Sequence, residues 1–220
     1  MYEAHQLVFN EGENMEIQEL FNEIEESLLK GKKPSLVLNK LKEEGLFNKE
    51  PFSYLIKLED VEQSARHHPE GNVWIHTMMV VDEGARRREE VHDKRAFMWA
   101  LLLHDIGKIK TTKFQKNHWT SYDHDKVGEG ESLKFLEYFN EEKSFINKVS
   151  KLIRYHMHLL YIVNKLPFAD LEGIKKYTDI NDISIIFLCD RLGRGGLNEK
   201  DIREIEYEVK EFYRTFSHVD

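Results

Sequence analysis

The chain has a single cysteine, Cys189, among 220 residues. That excludes an internal disulfide framework and any zinc module built on several thiolates, and it suits a reducing compartment. Proline and glycine are scarce, 4 and 12 residues, together about 7% of the chain against roughly 12% in average usage. A β-sandwich or barrel needs a turn every few residues, so this shortage of breakers argues for helices. Long hydrophobic runs are missing too. No apolar stretch reaches the roughly 18 residues of a membrane span, and the opening MYEAHQLVFNEGENMEI has neither the basic nor the apolar region of a signal peptide. Positive charge is in deficit: 32 Lys and Arg against 40 Asp and Glu leave a net charge of −8. General nucleic-acid binding, which neutralises many phosphates with Lys and Arg, is therefore disfavoured. The expectation is a soluble, cytoplasmic, all-α protein large enough to close a core. What it has in plenty is histidine, 11 residues.

Residues 1–15 are polar and unpatterned and read as a loosely docked arm. From there Ile17, Leu20, Phe21, Ile24 and Leu28 keep helical spacing. Gly31 follows as a C-cap, and Pro34-Ser35 opens a second helix that ends at Gly45. His67-His68-Pro69-Glu70-Gly71-Asn72 reads as a loop. Helices are expected over 74–89, 95–107, 124–140, 144–161, 168–177 and 181–192, then a glycine-rich break at 193–199 and a last helix over 199–216. The expected division is a helical extension over 1–60, a main domain over 61–197 and a C-terminal helix over 198–220 packed on it.

The histidines fall on the apolar stripes. Phe97, Ala100, Leu101 and His104 occupy i, i+3, i+4 and i+7, and Ile183, Ile186, Phe187 and Asp190 repeat those intervals. Val149, Leu152, Ile153 and His156 repeat them again, and His76 shares a face with Met79, Val80 and Glu83. Each polar residue thus continues a face that should be buried, where an unpaired Asp is costly. Singly, each histidine reads as a core residue bonded to a carbonyl. Together, in one helical domain, they can hardly satisfy one another without a cation, whereas a divalent metal satisfies them all. His104 and Asp105 are adjacent, about 100° apart on a helix, so both reach one ion only where the helix ends, and Gly107 supplies that exit. His124 suits a ligand at the start of the next helix. His158, about 200° from His156, is expected on the surface with His5, His92, His118 and His218. Cys189, Trp74 and Trp99 fit the core.

The string LLHDIGK (102–108), with His76 upstream and Asp190 downstream, resembles the HD superfamily of metal-dependent phosphohydrolases. HHPEGNVWIHTMMVVD (67–82), PSLVLNKLKEEGLF (34–47), HDKVG (124–128), RYH and CDRLGRG are similar to the C-terminal HD region of some bacterial tRNA nucleotidyltransferases, the CCA-adding enzymes. The resemblance covers about 30–197. It implies an all-α HD-domain helical bundle with His76, His104, Asp105 and Asp190 as the core metal site. His124 and His156 fall where some subfamilies hold a second metal, and Asp105 matches the carboxylate that bridges the two ions. Those enzymes also carry a nucleotidyltransferase head with a Gly-rich motif. Residues 1–33 contain none, so the expectation is hydrolysis without nucleotide addition.

One or two divalent ions on four His and two Asp would lower the pKa of a bound water and polarise phosphoryl oxygens. The mixed donor set suits Mn, Fe, Ni, Co or Zn better than Mg. An acidic protein must still attract an anion, and Lys108, followed by Lys110 and Lys113, together with Arg191 beside Asp190, are the expected phosphate contacts. Asp105 and Lys108 are the expected catalytic pair. The Arg194 loop, GRGG, follows a helix and reads as a C-terminal turn rather than a phosphate cradle. Glu70, His67 and His68 either supply a general acid or simply shape the approach to the next helix. The expected activity is phosphomonoesterase or cyclic phosphodiesterase action on a nucleotide or similar small phosphoester. An HD-fold di-iron oxygenase and a non-catalytic nucleotide- or tRNA-binding module are the alternatives.

Overall fold

The computed structural model describes residues 11–216, and His5 and His218 lie outside them. Among the described residues the secondary structure is helical apart from one small hairpin. In order, the elements are α1 (Glu11–Lys30), α2 (Pro34–Glu43), α3 (Ser53–Ile56), α4 (Val73–Arg87), α5 (Lys94–Leu103), α6 (Lys108–Thr111), β1 (Lys113–Gln115) and β2 (His118–Thr120). There follow α7 (His124–Glu137), α8 (Lys143–Tyr155), α9 (His158–Val163), α10 (Leu171–Tyr177), α11 (Ile180–Leu192) and α12 (Glu199–Phe216). Among the described residues no helix is long and apolar enough to cross a membrane.

α5 is the central element. Its residues from Ala96 to Leu103 are all buried, and α1, α4, α8 and α11 pack around it. A helix apolar on every side can only sit in such a position. Phe21 of α1 stacks on Trp99 with ring centroids 4.5 Å apart, and the Trp99 indole N–H donates to Glu25 (2.9 Å). Burying large side chains like these stabilises the core by about 1.5–3 kcal/mol each. α4 approaches α5 at Gly84, where a Cβ would come within 2.1 Å of Leu101 Cδ1. Cys189 is wholly buried in α11, its thiol pKa pushed up by burial, and it is a core residue as expected.

Polar side chains fix the helix starts. Asn72 Oδ1 accepts from Ile75 N (3.0 Å) at α4, and Asp93 Oδ1 accepts from Ala96 N (3.0 Å) at α5. Asp82 of α4 accepts from both the N–H and the hydroxyl of Ser35 (3.0 and 2.7 Å), tying α2 to α4. At the other end of the chain α12 lies on α11 and α9, closing a second apolar cluster of Leu159, Phe187, Val209 and Phe212.

Several expectations need correction. α1 begins at Glu11, so 11–15 are helical rather than part of an arm. The expected 95–107 helix stops at Leu103, and a turn leads into α6. The expected 144–161 helix is two helices, because the chain breaks at His156 and Met157. The hairpin β1–β2 lies between the expected helices 95–107 and 124–140, where no element was expected, and its turn places Lys116 and Asn117 at φ of 49° and 63°. His158 is buried, not exposed.

Candidate metal centre

The helix breaks that periodicity did not foresee are what assemble the site. Because α5 ends at Leu103, His104 and Asp105 lie in a tight turn, closed by Ile106 N to Leu103 O (3.0 Å) and Lys108 N to Asp105 O (2.9 Å). Both side chains can then face inward. Gly107 completes the turn. A Cβ there would meet His124 O at 2.1 Å and Gly128 N at 2.6 Å, so only glycine lets the start of α7 lie against this turn. That contact carries His124 to Asp105. The break after α8 likewise frees His156 from the helix surface.

His76 from α4, His104 and Asp105 from the α5 turn, His124 from α7, His156 from α8 and Asp190 from α11 all converge, and each is buried. Two triads stand out: His76, His104 and Asp190, and Asp105, His124 and His156. Within each, one donor atom per residue lies within 4.8 Å of the others. Asp105 links them, with Oδ2 at 3.2 Å from His104 Nε2 and Oδ1 at 3.4 Å from His124 Nε2.

The hydrogen bonds decide which ring atoms face the centre. Nδ1 of His104, His124 and His156 donates to the carbonyls of Leu101 (2.8 Å), Ser121 (2.8 Å) and Ile153 (2.6 Å). His76 Nδ1 donates to Glu70 Oε1 (3.0 Å). Nε2 of His104, His124 and His156 is therefore left as a lone pair for the interior, an arrangement characteristic of metal-bound histidine, while His76 Nε2 lies 3.0 Å from Asp190 Oδ1. Nε2 of His124 and His156 face each other at 3.3 Å, two acceptors in contact. Nε2 of His104 and Oδ2 of Asp105 are buried with no hydrogen bond of good geometry. Unpartnered imidazole acceptors this close to a carboxylate whose only close cation among the described residues is Lys108 fit a metal ion.

The electrostatics agree. Burial, reinforced by the neighbouring His124 and His104, pushes the His156 pKa down to about 4, and burial also lowers that of His124. For His76 burial works against the charged form, but Asp190 and Glu70 outweigh it and the pKa is raised. Asp105 and Asp190 stay ionised despite burial, held well below the usual range by Lys108 and His104 for the first and by Arg194 and His76 for the second. Two carboxylates and the neutral imidazoles of His124 and His156 are the protonation states a divalent ion requires, and His76, between Asp190 and Glu70, must give up the proton its raised pKa favours.

The centre lies under a cleft of about 1020 Å³, lined in part by His68, Lys108, Trp119, Tyr161, Arg191 and Arg194. Lys108 Nζ sits 2.7 Å from Asp105 Oδ2 and donates to Gln63 Oε1 (2.8 Å). Arg191 lies on the cleft wall over the Phe187 ring, 3.9 Å from Glu208. Lys110, part of the expected basic edge, is paired with Glu131 (2.8 Å).

Sequence reasoning missed several contributors. Glu70 does more than shape a loop: Oε1 accepts from both His68 and His76, and Oε2 accepts from Gly195 N (3.0 Å). His158 Nδ1 accepts from Asp170 N (3.0 Å), and its Nε2 lies 2.8 Å from Arg154 Nη1. Arg154 in turn pairs with Asp125 (2.5 Å), so this buried trio braces the break beside His156. No sequence signal marked Gln63 or the hairpin residue Trp119. Another cluster, His92 with Asp179 and Asp182, is a surface ion pair whose Asp182 oxygens also accept from the backbone N–H of His92 and Asp93.

A helical bundle that draws histidine and aspartate from five helices to one buried point defines a metal-binding helical domain. The HD domain family model matches residues 73–194, more than half of the chain, and the protein belongs to the HD domain family. Family members typically are metal-dependent hydrolases, and the buried triads here could hold a metal. Among relatives, the chain is similar to the "Multifunctional CCA protein" of Pasteurella multocida, 26% identical over 202 residues, 88% of this chain and 47% of that protein. It is 28% identical over 210 residues to the protein so named from Mannheimia succiniciproducens, covering 92% of this chain and 49% of that one. The counterpart from Methylococcus capsulatus is 27% identical over 195 residues, 85% and 44% of the two chains. The chain thus spans about half the length of the relatives it matches.

Proposed function

We propose that the protein is a metal-dependent phosphohydrolase acting on a nucleotide or a similar small phosphoester, as a phosphomonoesterase or cyclic phosphodiesterase. The observation that carries this reading is the gathering of four Nε2 atoms and two buried carboxylates beneath a cleft, with the Lys108 ammonium beside them. His76, His104, Asp105 and Asp190 would hold one divalent ion, and His124 and His156, with Asp105 shared, a second. Mn, Fe, Ni, Co or Zn suits these donors, and such ions supply a water of lowered pKa and polarise the phosphoryl oxygens.

The chain's own residues do the rest. Lys108, already aligned by Asp105 and Gln63, binds a non-bridging phosphoryl oxygen and offsets the charge that grows there. Arg191 offers a second cationic contact from the cleft wall. Carbonyl bonds at Nδ1 hold the histidine rings fixed, so little reorganisation is needed. In the reaction a water oxygen bonds to phosphorus as the bond to the leaving oxygen breaks, and that oxygen gains a proton.

The test is a purified sample loaded with Mn or Ni against 2′-, 3′- and 5′-nucleotides, 2′,3′- and 3′,5′-cyclic nucleotides and dinucleoside polyphosphates. Release of phosphate or opening of a cyclic ester, lost in Asp105→Ala, is the expected result. No turnover across the panel, or oxygen uptake by an Fe(II)-loaded sample instead, would overturn the reading.

A further inference from the structure

Two of the cationic residues on the cleft wall also face somewhere else. Arg191, Arg194 and His67 line both the metal cleft and a neighbouring hollow of about 400 Å³. The hollow's other walls include Arg66 and the α12 carboxylates Glu204 and Glu208. Three guanidiniums thus border one cavity that adjoins the metal centre.

The Arg194 loop is held in place. Gly193 rests on α4, where a Cβ would come within 2.5 Å of Val80 Cγ2, and Gly195 N donates to Glu70 Oε2 (3.0 Å). Glu70 is the carboxylate that orients His76, so the loop and a ligand of the metal centre share one support. The Arg194 guanidinium lies 3.7 Å from Asp190 Oδ1. Arg191 and Arg194, three positions apart at the end of α11, both line this hollow. The counter-charge present is poorly matched: Glu208 reaches Arg191 only at 3.9 Å, and its Oε2 has no hydrogen-bond partner. Arg66 is exposed and forms no ion pair among the described residues. Guanidiniums converging from different segments match the several oxygens of a phosphate. The flanking carboxylates can accept from the hydroxyls of the sugar that carries it.

We propose that Arg66, Arg191 and Arg194 form a second phosphate subsite, so that the substrate is a nucleotide bearing two separate phosphates, one at the metal centre and one in this hollow. The proposal rests on the hydrolytic reading above, and its test separates the two. Metal-loaded protein is assayed with adenosine 3′,5′-bisphosphate and with the 3′- and 5′-monophosphates. The expected kcat/KM for the bisphosphate exceeds that for the better monophosphate by about tenfold or more, given the usual strength of charge-assisted bonds. Arg66→Ala should bring that ratio close to one, and Arg66→Lys should restore part of it. In parallel, chelator-treated protein is titrated calorimetrically with inorganic phosphate, which Arg66→Ala should weaken about tenfold. Equal efficiency on bisphosphate and monophosphate, or a preference that Arg66→Ala leaves intact, overturns the subsite while hydrolysis stands. Phosphate binding that depends on Arg66 in a protein that hydrolyses nothing overturns hydrolysis and keeps the anion site. Phosphate binding indifferent to Arg66 overturns the subsite.

Discussion

Asp105→Asn tests the logic of the centre most directly. The substitution keeps the shape of the side chain and removes its charge. In the native chain Asp105 lies 2.7 Å from Lys108, 3.2 Å from His104 Nε2 and 3.4 Å from His124 Nε2, so its carboxylate reaches both halves of the centre. Two effects follow. Without metal, the largely buried Lys108 ammonium loses its counter-charge, a loss of about 3–5 kcal/mol when a buried pair is broken. The lower end applies, because Gln63 still accepts from the ammonium and an amide oxygen remains at position 105. At about 2–4 °C per kcal/mol for a chain of this size, Tm should fall by about 6–12 °C. With metal at about 100 times Kd, the native protein gains about 2.7 kcal/mol, or about 5–10 °C, and the variant should gain none. Thermal melts with and without Mn, Ni, Zn or Fe(II), paired with elemental counting of ions per chain, read both effects. A variant that keeps the native number of ions and the full metal-induced rise in Tm would refute the bridging role proposed for Asp105.

Glu70→Gln should weaken metal affinity by about 10–100-fold, the usual loss when the partner of a ligating histidine is removed, with little change in far-UV circular dichroism. Competition with a metal-binding dye measures it, and unchanged affinity would argue that Glu70 only ties the loops together. His158→Ala should destabilise the fold by about 1–3 kcal/mol by leaving Asp170 N and Arg154 short of a partner, without altering the ion count, whereas His156→Ala should reduce that count. The reverse pattern would exchange their roles. In chelator-treated protein, His156 is pushed down to about 4 and His124 is also lowered, from an ordinary 6.5. Between pH 6.5 and 4 the unfolded chain then binds protons that the folded chain refuses, so stability falls on acidification by about 1.4 kcal/mol per pH unit for each such proton. The raised His76 acts in the opposite sense, adding stability below 6.5 that is lost as pH rises through its folded value. His68, His124 and His156, all lowered, therefore predict a decline in the urea midpoint from pH 6.5 towards 4, a window in which His76 contributes a constant stability, and a midpoint that climbs across it would contradict the assignment.

Much of the architecture was legible before any coordinates. The apolar spacings around Phe97, Val149 and Ile183 located α5, α8 and α11 and turned His104, His156 and Asp190 inward, because burial of a helix face is a periodic property of the chain. The adjacent His104-Asp105 pair required a helix end, and Gly107 marked it. Periodicity failed where a helix stops for tertiary reasons. Helical spacing set His158 about 200° from His156 and so on the surface, because nothing in RYHMHLLY announces a break. The structure breaks the helix between them and buries both, one towards the centre and one towards Arg154 and Asp170. The Lys116-Asn117 hairpin was equally silent, because a short two-stranded ribbon exposed to solvent has no hydrophobic alternation to announce it.

The sequence alone therefore determined the helical class, the scarcity of turns, the inward faces and the residue types able to hold a cation. Those follow from composition and from intervals along one element. Only the tertiary structure decided that four Nε2 atoms face each other while every Nδ1 is bonded away, that Glu70 supports both His76 and the Arg194 loop, and that Arg66, Arg191 and Arg194 share a hollow. Most of those are relations between different segments, the longest being that of Glu70 with Gly195, 125 residues apart. No local interval encodes them, because they depend on how close two backbones come, and here glycines at 107, 193 and 195 set that distance.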